Sequence, residues 1–191
     1  MRIVLLGAPG SGKGTQAAIL VERLGLPHIS TGVLLRNAVK SGSKLGQMAK
    51  AITDKGELVP DDIMSDLIKE RLGRDDVADG FILDGYPRTI EQAQSLDEIS
   101  EKLGRPLDIA IQIDVDPKKI IGRIALRARQ ENRSDDTVEV LRNRMRVYEE
   151  KTAPVADYYA QQGLLTQVLG NGQKEEVSER ILAVLKVAAT P

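Results

Sequence analysis

The chain has 191 residues, enough for one domain with a proper core, and its 27 basic and 28 acidic side chains leave a formal net charge of −1. That balance gives no general pull toward nucleic acid or a membrane surface. The absence of cysteine excludes disulfides and a thiolate zinc site. The apolar run at residues 3–6 is too short for a signal peptide or a membrane span, so a soluble cytoplasmic protein is expected.

Residues 3–6 read as a strand, and the stretch GAPGSGKGT at 7–15 follows at once. Its spacing, Gly7-x4-Gly12-Lys13-Gly14-Thr15, lies close to the phosphate-binding pattern G-x(4)-G-K-[ST], with one glycine inserted before the hydroxyl residue. Glycines let successive N–H groups converge into a nest for an anion. From Lys13 the pattern turns helical, with Ala17, Leu20, Val21 and Leu24 on one apolar face. The N-terminus of that helix adds its dipole to the same anion site. Lys13 is expected at the outer phosphates, and Thr15 near the inner ones or a metal. A glycine-rich hairpin turn is the bland alternative, and the strand before and helix after weigh against it.

The segment PHISTGVLLR at 27–36 offers a short strand at 28–30 and a helix from Thr31. The Thr31 hydroxyl can cap that helix or meet a ligand, and Arg36 lies about one turn further on. His28, the single histidine, reads as packed against a strand rather than catalytic. A strand at 80–83 leads into Asp84-Gly85-Tyr86-Pro87-Arg88. A carboxylate at the end of a buried strand, beside a phosphate loop, can hold magnesium directly or through waters; the plainer role for Asp84 is to cap a turn. Arg88 can meet a phosphate bidentately.

A strand at 109–113 precedes a helix opened by Asp116-Pro117, and the next helix is expected to be capped by Asp135-Asp136, with Val138, Leu141, Met145 and Tyr148 as its stripe. Seven arginines fall between 123 and 146. Arg129, Arg142 and Arg146 read as solvated partners of Glu139, Glu149 and Glu150. Arg123 and Arg127, which share a helix face, and Arg133 and Arg144 read as phosphate ligands. ATP plus a second phosphate ester brings about six negative charges, of which magnesium offsets about two. A strand at 164–169 and a last helix with Val177, Ile181, Val184 and Leu185 complete the chain. The alternation predicts an α/β, three-layer P-loop fold, a parallel five-stranded sheet with helices on both faces and ligands at the carboxyl ends of its strands.

Together the stretches GAPGSGKGTQA, ISTG-x-LLR, GELVPD, GFILDGYPRTIEQA, DDT-x(4)-LRNRM-x-VY and TAPVADYY resemble the adenylate kinase family nearly end to end. The resemblance implies reversible phosphoryl transfer from MgATP to AMP, giving two ADP, by a monomer. It places ATP phosphates on Gly10, Ser11, Gly12, Lys13, Gly14 and Thr15, with Arg127 also on phosphate. Arg123 and the Gly172 backbone would meet the ATP adenine. Thr31, Arg36, Glu57, Leu58, Val59, Gly85, Tyr86, Pro87, Arg88 and Gln92 correspond to the AMP site. Arg133 and Arg144 would bridge both nucleotides, so that Lys13, Arg88, Arg133 and Arg144 carry the catalysis, with Asp84 on the metal. An AMP-binding insertion near 30–59 and a short lid at about 127–137, without zinc, are implied. Val33 stands where the family usually has Asp.

Three rivals share part of this pattern. A UMP or CMP kinase of the same scaffold would call for Ala at Thr31 and Asn-rich sequence around Gln92; a Gln amide instead suits adenine's N6/N1 edge. A GTPase needs an N-K-x-D motif, which is absent. A non-catalytic nucleotide-binding protein would have little use for two phosphate sites around one metal.

Overall fold

The computed structural model describes residues 1–116, 120, 122–123 and 137–188. Five strands, β1 (Arg2–Leu6), β2 (His28–Ser30), β3 (Phe81–Asp84), β4 (Ile109–Asp114) and β5 (Leu165–Leu169), form one sheet in the order β2-β3-β1-β4-β5. Every pairing is parallel, with Leu5 beside Asp84 and Ser30 beside Asp84 on the next strand over. The five expected strands are all present, with ends shifted by at most a residue.

Helices α1 (Lys13–Leu24), α2 (Thr31–Lys40), α3 (Lys44–Thr53), α4 (Asp61–Leu72), α5 (Ile90–Lys102), α6 (Val138–Val147), α7 (Pro154–Gln161) and α8 (Lys174–Ala188) lie between and after them. Alternate side chains of β1 enter two separate cores. Val4 and Leu6 join Phe81, Leu83 and residues of α4, α5 and α7. Ile3 and Leu5 join Ile82, Ile111 and residues of α1 and α8. Such strands are apolar on both faces because both are covered, which is why they read as unbroken hydrophobic runs.

Three details depart from the sequence reading. Leu24, expected on the buried face of α1, is 38% exposed, as the last residue of the helix before its C-cap Gly25. The cap of α6 is the Thr137 hydroxyl, which accepts the Val140 N–H; Asp135 and Asp136 lie outside the described residues. Tyr148 does not extend the α6 stripe but opens a wider π-helical turn through Thr152, closed by the Ala153 N–H on the Tyr148 carbonyl at 2.8 Å. Pro154, which cannot donate a backbone hydrogen bond, then sits at the start of α7, where none is required.

Candidate active site

The loop between β1 and α1 is shaped by contacts only glycine tolerates. Gly7 has φ +144°, and a β-carbon there would sit 2.7 Å from the Ile113 carbonyl oxygen and 2.8 Å from the Ser11 hydroxyl. No side chain caps α1, whose N-cap is Gly12. The first N–H groups of the helix are thus left for an anion. Lys13 donates from Nζ to the carbonyls of Gly7 at 2.6 Å and Ala8 at 3.0 Å, so its ammonium lies over the loop. Ser11 is buried, whereas Gly14 and Thr15 are exposed.

Asp84 closes β3 beside this loop. Its Oδ2 lies 3.7 Å from where a Gly14 β-carbon would be, and 3.7 Å from His28 Nε2. Burial pushes its carboxyl up, but the neighbouring His28 ring and the positive charges of Lys13 and Arg88 outweigh burial and hold it below the ordinary value. His28 packs beside the carboxylate, with Nε2 beyond hydrogen-bond distance of it. Among the described residues no group of three or more His, Cys, Asp or Glu could cage a metal alone. An ion shared with phosphate oxygens needs only one or two carboxylates, and an ionised Asp84 suits it.

Across β3 lies a second polar corner. The Thr31 hydroxyl donates to the Gly85 carbonyl at 2.8 Å, and Arg88 Nε donates to the same oxygen at 2.8 Å. Gly85 has φ +82°, and a β-carbon would approach Thr31 Oγ1 to 2.7 Å. Arg36 folds back so that its guanidinium NH1 is 3.2 Å from a β-carbon built on Gly32. Tyr86, joined to Pro87 by a cis peptide, is buried and shares a hydrogen bond with Ser65 at 3.1 Å. Burial raises the Tyr86 pKa, and its ring belongs to the core, so only the backbone of this residue is available to a ligand.

The Glu57-Leu58-Val59 stretch runs from an exposed to a buried side chain. Just before it, Gly56 rests against α6: a β-carbon there would lie 2.8 Å from the Val140 carbonyl oxygen and 3.1 Å from Arg144 Cγ. Asn143 Nδ2 adds a hydrogen bond to the Lys55 carbonyl at 2.7 Å. Arg144 is thereby brought beside this stretch. Arg146, expected to be a solvated partner, pairs with Glu150 at 2.8 Å.

On the far side of the phosphate loop, Arg123 donates to the Ser11 carbonyl at 3.2 Å and the Gly170 carbonyl at 2.9 Å. It joins the loop to the turn after β5 that carries Gly172, whose φ is +117°. Arg127 and Arg133 lie outside the described residues.

Asp61 and Thr89, which surround the expected Gln92, and Thr152 escaped the sequence reading. Gln92, 2% exposed, donates from Nε2 to Asp61 Oδ1 at 2.6 Å and accepts the Arg88 N–H on Oε1 at 2.7 Å. Thr89 caps α5 and donates its hydroxyl to Asp61 Oδ2 at 3.0 Å. The spacing Thr89-x-x-Gln92 is that of a capping box and could have flagged this cluster. Thr152, in the π-helical turn, donates to the Arg88 carbonyl at 2.8 Å.

Residues 5–164 match the family model described as adenylate kinase. The adenylate kinase of Stenotrophomonas maltophilia strain R551-3 is 52% identical over 186 residues, covering 97% of this chain and 100% of that protein. That of Xanthomonas euvesicatoria pv. vesicatoria is 52% identical over 185 residues, 97% of this chain and 99% of the relative. The Thermobifida fusca enzyme is 47% identical over 189 residues, 99% of this chain and 100% of the relative. With its phosphate loop, its acid-ended β3 and this likeness along nearly its whole length, the chain belongs to the adenylate kinase family.

Proposed function

We propose that the chain transfers the terminal phosphoryl group of MgATP to AMP, reversibly, giving two ADP and so balancing the adenine nucleotide pool. The observation that carries this reading is the pair of polar corners at the carboxyl end of one sheet. The loop of Gly10, Ser11, Gly12, Lys13, Gly14 and Thr15 lies on one side of Asp84, and Thr31, Gly85 and Arg88 on the other. Donor phosphates on the first and an acceptor phosphate on the second would meet near Asp84 and Lys13. The two families of contacts suit in-line transfer, in which positioning and charge neutralisation supply most of the rate.

In this proposal Arg123 and the Gly172 backbone flank the donor base, and Arg127 meets donor phosphates. Arg36 and Arg88 hold the acceptor phosphate, while Glu57, Leu58, Val59, the Gly85-Tyr86-Pro87 backbone and Gln92 line the acceptor nucleoside. Lys13, Arg88, Arg133 and Arg144 follow the charge of the moving group. Asp84 would hold magnesium through its water shell; a bound ion supplies neutralisation of the β- and γ-phosphate oxygens. The acceptor phosphate is already an anionic nucleophile, so no general base is required.

Residues 30–59 serve as the AMP-binding segment and about 127–137 as a short lid. Their proposed closure over both nucleotides would exclude water. We place the enzyme in the cytoplasm as a monomer, acting on small nucleotides and not on nucleic acid; among the described residues no helix is long and apolar enough to cross a membrane. Phosphorus NMR of protein, ATP, AMP and magnesium tests the reaction. ADP should form as ATP and AMP fall together, and ADP alone should regenerate both. Release of inorganic phosphate with AMP unchanged would contradict the proposal.

A further inference from the structure

We propose that Asp61 is a positioning residue that fixes the polarity of the Gln92 amide and so makes the acceptor site choose adenine over a 6-oxopurine. The inference rests on the reading that Gln92 meets the acceptor base. A carboxylate only accepts hydrogen bonds and a backbone N–H only donates. Gln92 stands between one of each, with Nε2 on Asp61 Oδ1 at 2.6 Å and Oε1 on the Arg88 N–H at 2.7 Å. Turning the amide over would set its carbonyl against the carboxylate and its NH2 against the N–H. Both contacts would be repulsive in a side chain that is 2% exposed.

Asp61 is itself held. Its other oxygen accepts the Thr89 hydroxyl at 3.0 Å, and that hydroxyl accepts the Gln92 N–H at 3.1 Å. The ring ties the start of α4 to the start of α5 and leaves the carboxylate little freedom to rotate. One Nε2 hydrogen and one Oε1 lone pair of Gln92 then remain, side by side in fixed order. Adenine presents an N6 donor and an N1 acceptor, which complement that order. Hypoxanthine presents an O6 acceptor and an N1 donor, which match only the overturned amide. An asparagine at 61 has both a donor and an acceptor and no longer dictates the order.

The test compares AMP with inosine monophosphate as acceptors, whose bases differ only at this edge, in wild type, Gln92→Ala and Asp61→Asn. Asp61→Asn should lower the ratio of kcat/KM for AMP over inosine monophosphate by about tenfold, chiefly through the KM for AMP, with the KM for ATP unchanged. Gln92→Ala should lower the same ratio at least as far. If Gln92→Ala lowers it and Asp61→Asn does not, Asp61 merely joins two helices and the inference is overturned. If Gln92→Ala leaves the ratio and the KM for AMP unchanged, the base-reading role of Gln92 fails and the inference fails with it. Should Asp61→Asn not fold, Thr89→Val takes its place, removing the hydroxyl that braces Asp61. A drop of about threefold supports the inference, and an unchanged ratio overturns it.

Discussion

Lys13→Met would remove the ammonium that grips the Gly7 and Ala8 carbonyls and helps keep Asp84 ionised. Because that charge can follow the migrating phosphoryl group, the loss of transition-state stabilisation should be about 3–5 kcal/mol, read from kcat/KM. Near-normal turnover would remove the phosphate-loop assignment. Asp84 gives a prediction with a sign. Its carboxyl is held below the ordinary value in the folded chain, so it adds stability above the unfolded-state value that is lost as pH falls through the folded one. The stability difference between wild type and Asp84→Asn, from denaturant melts, should therefore be constant near neutrality and shrink below about pH 4; a constant difference down to strong acid would contradict it. Val33 is 43% exposed on α2, so it does not pack beneath the helix. Val33→Asp should leave the melting temperature nearly unchanged, lower the magnesium concentration for half activity and raise kcat by about tenfold, roughly 1.4 kcal/mol. An unmoved magnesium titration would sink that role for residue 33. At this scale the sequence singled out Lys13, Asp84 and Arg88 as candidates by their spacing after strands. It did not reveal Asp61 or Thr89, because their role depends on two helix starts meeting in space.

The helices show where periodicity succeeds and where it stops. In α1 the same pattern placed Leu20 and Leu24 on one face, yet Leu20 is fully buried and Leu24 is 38% exposed. Periodicity gives a direction around the helix axis, not how far along that axis the sheet extends. Leu20→Ala should therefore cost about 2–5 kcal/mol in unfolding free energy and Leu24→Ala at most about 0.5 kcal/mol, measured by chemical denaturation. Similar losses at both would mean that α1 is covered to its end. The π-helical turn at Tyr148–Thr152 was equally hidden, since an extra residue per turn leaves no composition signal. Its consequence is local, because it sets Thr152 on the Arg88 carbonyl. The central strands β1 and β3 were the easiest elements to read, their runs buried and largely apolar, whereas the outer strands β2 and β5 carry polar and exposed residues.

For the whole molecule, the parallel order β2-β3-β1-β4-β5 sets the loops after the neighbouring strands β1 and β3 side by side at the carboxyl end of the sheet, where the proposed two-nucleotide site lies. The alternation of strands and helices announced the sheet, while the contact of Gly56 and Lys55 with α6 needed the folded chain to be seen. If closure accompanies catalysis, an analogue joining two adenosines through five phosphates should raise the melting temperature and slow hydrogen exchange across residues 30–59. Unchanged exchange there would count against a closing mechanism. The central claim is that AMP is the acceptor, and initial rates with AMP, CMP, UMP and GMP, each with MgATP in a coupled assay, test it most directly. The account predicts that kcat/KM for AMP exceeds that for each of the others by about a hundredfold or more, and CMP or UMP matching or surpassing AMP would contradict it.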